Sequence, residues 1–194
     1  FQILAAEQLV MDEENRANLI VVDECHEIDE QLVNHSTLLV DMETFDHISK
    51  ATSKDFINHF TDFINYFSDK EEGVAFTLDD ELREICNALT KRIGSQIENL
   101  EQSITKNKSE TLLFACDELK TLQDKFLLFS NQHGEWLITE YAYNTKVEIK
   151  PVYAYQVAEY GLFRKADHFL HMSATICGYD SYLFNIGIKK EDAC

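Results

Sequence analysis

The spacing of apolar positions along this 194-residue chain changes twice. Near the start, "NLIVVDE" (Asn18 to Glu24) is an unbroken apolar run ending in two acids. That is the pattern of a strand buried on both faces of a parallel sheet. Ahead of it, "FQILAA" predicts a short strand and "EQLVMDEEN" a brief amphipathic helix or turn; after it, a helix is predicted from Asp29 to about Val40. From Asp41 to about Gln132 the spacing is helical throughout, with no proline and only two glycines. Phe56, Phe60, Phe63 and Phe67 form one stripe, Leu78, Leu82, Ile85, Leu89, Ile93, Ile97, Leu100 and Ile104 a second, and Leu112, Cys116, Leu119, Leu122, Phe126 and Phe129 a third. The polar break "TKNKSE" predicts that the last two pair antiparallel. Asp79, Asp80 and Glu81 fall in the first turn of the long helix, where negative charge suits the helix dipole. After Gly134 alternation returns: "EWLITEYAY" and "TKVEIKP" predict a hairpin across "NT". "VYAYQVAEYGLFRKA" then suits a helix, "HFLHMSATI" a strand, and "GYDSYLFNIGI" a helix closing on a loop.

These elements predict an α/β fold with a large helical insertion: a bundle of about four helices set between strands of a partial parallel sheet. The expected division is a discontinuous α/β domain over 1–40 and 133–194, with the helical insertion over 41–132. Composition agrees, since 45% apolar and 11% aromatic residues suit a core-forming globular chain. No apolar run approaches the roughly 20 residues that cross a bilayer, so no membrane partner is expected. The chain opens without an initiator methionine or a secretory pattern and reads as a piece of something longer. Its five cysteines show no C-x-x-C spacing. Neither a zinc knuckle nor a disulfide framework is indicated, and the cytoplasm is the expected location. Nothing in the pattern calls for a dimer, so a monomer is expected. With 17 basic against 35 acidic residues the formal charge is −18, which argues against this stretch gripping nucleic acid by charge alone.

The chemistry concentrates at Asp23 and Glu24. At the carboxyl end of a parallel strand, side chains face the crevice where open α/β sheets bind ligands. One carboxylate of such a pair can hold a phosphate-bound magnesium and the other orient or deprotonate a water. The alternative is a charged strand-to-helix turn, with one acid capping the helix that follows, and spacing leaves both readings open. His168 and His171 are three apart on a predicted strand, hence on opposite faces, which argues against a shared metal. The phenylalanine stripe reads as core rather than as a base-stacking platform, and the acidic runs "DEEN" and "DKEEG" as solvated loops. Lys106 and Lys108 at the tip of the long hairpin, with Arg164 and Lys165, are the remaining candidates for touching a phosphate backbone.

"VVDECHEI" (Val21 to Ile28) resembles the D-E-x-H box of superfamily-two helicases, and "HMSATI" (His171 to Ile176) resembles their S-A-T motif. In this order, separated by a helical insertion, the two resemble the XPD/DinG-type DNA helicases, whose insertion at this place is called the Arch domain. The resemblance implies a segment of an ATP-dependent DNA helicase: an Arch with flanking parts of the first motor domain. It implies that Asp23 coordinates the Mg2+ of bound ATP and that Glu24 activates the hydrolytic water. His26 would link the nucleotide site to Ser173, Ala174 and Thr175, which relay nucleotide state to DNA. Cys25 stands where the family commonly has alanine. The implied partners are single-stranded or forked DNA and a regulatory protein on the Arch. The chain contains no G-x-x-x-x-G-K-[ST] loop, no Q-x-x-G-R-x-x-R stretch and no four-cysteine set for an iron–sulfur cluster. The isolated segment is therefore not expected to hydrolyse ATP. Two other readings stay open: a non-enzymatic acidic helical module that binds a protein partner, and a nuclease-like relative with a decayed motor.

Overall fold

A computed structural model describes residues 17–175 and 178–193. The strand and helix expected over residues 1–15 lie outside the described residues. In chain order the elements are β1 (Ala17–Asp23), a 3-10 turn (Cys25–Glu27), α1 (Ile28–His35), β2 (Leu38–Asp41), α2 (Asp46–Ala51), α3 (Lys54–Asn65), β3 (Ala75–Thr77), α4 (Asp80–Lys106) and α5 (Glu110–Asn131). There follow β4 (Glu135–Ala142), β5 (Lys146–Pro151), α6 (Tyr155–Gly161), a 3-10 turn (Phe163–Lys165), β6 (Ala166–Met172), α7 (Tyr179–Ile186) and a last 3-10 turn (Lys190–Asp192). The fold is α/β with a small parallel sheet, a separate antiparallel sheet and a large share of helix.

The strand expected over "HFLHMSATI" ends at Met172, which leaves Ser173 to Thr175 in a loop, and three boundaries in the helical reading also differ. The helix expected to reach Val40 stops at His35, because Leu38 and Val40 are drawn into a strand paired with Ile149 and Val147. The stretch after Phe67 is not helical throughout: Ala75–Thr77 adds a short strand to β4. The helix expected across 152–166 is a short helix ending at Gly161 and a 3-10 turn. In the first and third cases tertiary pairing and packing override local helix propensity.

The chain divides into two compact units, one of residues 37–150 and one of 17–36 with 151–193 among the described residues. The first unit holds α2 to α5 and the sheet of order β2-β5-β4-β3. Its helices follow from local signals. Ser53 caps α3 by accepting from Phe56 N at 3.3 Å, and Asp79 caps α4 by accepting from Leu82 N at 2.8 Å. The phenylalanine stripe is core: Phe60, Phe63 and Phe67 are fully buried, and Phe63 meets Phe126 edge-on with ring centroids 4.9 Å apart. Each such ring contributes about 1.5–3 kcal/mol by burial alone. Contacts between α4 and α5 run antiparallel, as expected: Arg83 bonds Ser130 O, Gln123 bonds Thr90 O at 3.2 Å, and Lys120 pairs with Glu101 at 2.8 Å. Gly94 leaves room for the Gln123 amide, since a Cβ there would sit 2.9 Å from its Nε2.

The second unit pairs β1 with β6 in parallel register, Val22 opposite His171 and Asp23 opposite Met172. One face of this sheet turns Val22, Phe169 and His171 toward helical cover, while Leu19, Val21, Leu170 and Met172 are exposed on the other. Leu32 on α1 packs against α6, where a Cβ added at Gly161 would meet it at 3.2 Å.

Candidate functional site

The register brings the carboxyl ends of β1 and β6 side by side, so the acid pair and the hydroxyl loop leave the sheet at the same edge. β1 ends because Asp23 turns its own carboxylate back, accepting from Glu24 N at 3.0 Å. Glu24 then takes a left-handed conformation, φ 52° and ψ 43°. A non-glycine residue there costs on the order of 1–2 kcal/mol, and the reversal is closed by Glu27 N bonding Glu24 O at 3.1 Å. The turn buries Cys25 completely and leaves Asp23, Glu24 and His26 facing out. Cys25 therefore serves as a small apolar plug beneath the acids.

His26 connects the two segments. Its Nδ1 lies 2.8 Å from Ser173 Oγ and 3.2 Å from Glu24 Oε2, across 147 positions of sequence in the first case. Ser173 Oγ also accepts from Thr175 N at 3.2 Å and donates to Glu24 Oε2 at 3.4 Å. With the single hydroxyl proton directed at Glu24, the pattern assigns a hydrogen to Nδ1, which donates to both oxygens. The glutamate, the imidazole and the serine thus form a closed triangle at the strand ends. Asp23 stands beside it with one carboxylate oxygen engaged by backbone.

The expected residues do not all gather. Asp23, Glu24, His26 and Ser173 meet at the sheet edge, and Ala174 and Thr175 follow in an exposed turn. Arg164 pairs with Glu159 at 3.6 Å and lies 6.0 Å from the Tyr160 ring, with Lys165 half-buried beside it. Lys106 and Lys108 are exposed at the α4–α5 tip, in the other unit. Among the described residues, no three His, Cys, Asp or Glu side chains converge as a metal cage, and His168 and His171 are not brought together on one.

One partner of this site had no signal in the sequence. Tyr182, on α7, bonds Nδ1 of His171 through its hydroxyl, which lies near the buried Cys25 thiol. Burial, reinforced by the neighbouring Cys25 thiol, pushes its hydroxyl far above the usual tyrosine range, and burial pulls the His171 imidazole down. Both are therefore neutral at pH 7.

Compared with known proteins, the chain matches no protein-family model and no curated protein. Among solved structures, it is similar to one named "XPD_APO", with 16% identity and a TM-score of 0.46. The overlap covers 94% of this chain but 35% of that one, so the chain spans about a third of the structure it resembles. Similarity at that level assigns no chemistry; the residues at the sheet edge carry it.

Proposed function

We propose that this chain is a segment of an ATP-dependent DNA helicase of the XPD/DinG type, comprising an Arch-like helical insertion and part of the first motor domain. The observation that carries the reading is the triangle of Glu24, His26 and Ser173 at the shared end of two parallel strands. A strand-to-helix turn needs no such partner from a segment 147 residues away. A nucleotide-driven motor does, because hydrolysis at one strand end has to be felt at the next.

The roles follow from geometry. Asp23 supplies one exposed carboxylate, which suits magnesium, an ion held by one or two carboxylates together with substrate phosphates rather than by an all-protein cage. When bound, MgATP supplies the phosphoryl group and the cation that neutralises its developing charge. Glu24 accepts hydrogen bonds from His26 and Ser173, which orient its carboxylate toward a water approaching the strand ends. His26 links Glu24 to Ser173 and so to the Ser173–Thr175 loop, and DNA is the partner that loop would sense. The exposed apolar face of Leu19, Val21, Leu170 and Met172 also supports a segment of a larger sheet, since parallel sheets are covered on both faces.

The test is Glu24→Gln in the intact protein that contains this chain. ATP turnover should fall at least about 100-fold, about 2.7 kcal/mol in barrier, while nucleotide binding stays within about threefold. Turnover at the wild-type rate would remove Glu24 from the mechanism and the motor reading with it. The acidic-module reading predicts instead no ATP turnover in the intact protein.

A further inference from the structure

Behind the exposed triangle, a second polar connection joins the same two segments from inside the unit. Tyr182 hydrogen-bonds Nδ1 of His171 through its hydroxyl, with the two rings 5.8 Å apart at 70°, and that hydroxyl lies beside the fully buried Cys25. Cys25 lies between Glu24 and His26 in the chain. His171 stands at the end of β6, two residues before Ser173. One hydroxyl on α7 thus bonds a side chain at the end of β6 and lies beside one from the Asp23–Glu24 turn. α7 is itself fastened to α1, where Asn185 Nδ2 donates to Asp29 Oδ2 at 3.3 Å.

Packing does not explain the choice of residues. Nε2 of His171 is buried with no hydrogen-bond partner among the described residues, and an unpaired buried polar group costs about 1–3 kcal/mol. An apolar pair at 171 and 182, such as leucine with phenylalanine, would fill the space without that cost. A chain of polar groups kept at the expense of stability marks a geometric task, because hydrogen bonds fix distance and angle where apolar contact does not. The task visible here is alignment: if α7 shifts, Cys25 and His171 move with the hydroxyl, and the Glu24–His26–Ser173 contacts change together.

We infer that Tyr182 is a positioning residue that holds the Asp23–Glu24 turn and the Ser173 loop in one register through Cys25 and His171. The inference rests on the motor reading and adds the device that regulates its alignment.

The test measures ATP turnover at saturating single-stranded DNA in the intact protein, for wild type, Tyr182→Phe, His171→Gln, His171→Leu and Glu24→Gln. Tyr182→Phe keeps the ring and removes only the hydroxyl. Its kcat should fall about tenfold with KM for ATP within about twofold, the signature of lost alignment rather than lost binding. His171→Gln, which still offers a hydrogen-bonding amide, should retain more turnover than His171→Leu. A Tyr182→Phe kcat within about twofold of wild type, or a rise in KM that matches the fall in kcat, overturns the positioning role. Failure of the motor reading shows separately, as wild-type turnover in Glu24→Gln; no turnover in the wild-type protein overturns both.

Discussion

Two residues outside glycine adopt left-handed backbone among the described positions, Glu24 and Asn144, and they do so for different reasons. Asn144 turns the β4–β5 hairpin and is held there by Asn65, whose Oδ1 accepts from Asn144 N at 3.2 Å and whose Nδ2 donates to Asn144 Oδ1 at 2.6 Å. Asparagine tolerates this conformation, so the "NT" turn was legible from residue type alone. Glutamate does not favour it. At Glu24 the strain lies at the candidate site, where the exposed side chain gains little in return from its surface hydrogen bonds. Glu24→Gly should therefore raise stability by about 0.5–1 kcal/mol while removing the carboxylate. Chemical denaturation would check it; a less stable glycine variant would mean that the His26 and Ser173 contacts hold the turn in place.

At the scale of elements, capping decides where the helices begin. Asp79 was expected inside the first turn of the long helix and instead caps it, one carboxylate oxygen accepting from Leu82 N and the other from the Tyr66 hydroxyl at 2.6 Å. The Tyr66 bond, followed by the Leu82 amide, holds the Asp79 carboxyl below its usual 3.8. A carboxyl lowered in the folded state contributes stability that is present above the unfolded pKa and lost as pH falls through the folded one. Asp79→Ala should cost about 0.5–2 kcal/mol at neutral pH. The gap from wild type should close as the pH is taken from about 5 toward 2. Urea midpoints measured across that range test it, and a gap independent of pH would show that the cap acts without its charge. Periodicity showed the helix and the acid-rich start but not the tyrosine that makes the cap strong, because that partner comes from the segment after another helix.

Across the whole molecule the dominant quantity is charge. A formal −18 on 194 residues means that the folded chain repels itself, and salt screens that repulsion, the screening length falling to about 10 Å at 0.1 M. The thermal midpoint should rise by a few degrees between about 0.02 and about 0.3 M NaCl. A midpoint that is flat or falls with salt would mean that attractive ion pairs, such as Lys120–Glu101 and Lys146–Glu140, outweigh the repulsion. Among the described residues no helix is long and apolar enough to cross a membrane. Taken alone, the sequence determined that a strand runs into Asp23, that the phenylalanine stripe is core, and that the helix pair and the hairpin form; it made that strand buried on both faces, whereas Leu19 and Val21 are exposed on one. Those properties are set by periodicity and residue type over a few turns of chain. Only tertiary structure decided that β1 lies against β6, that His26 reaches Ser173, and that Tyr182 stands behind them both. A one-dimensional pattern states which side of an element must be buried; which distant segment buries it depends on packing across the whole unit.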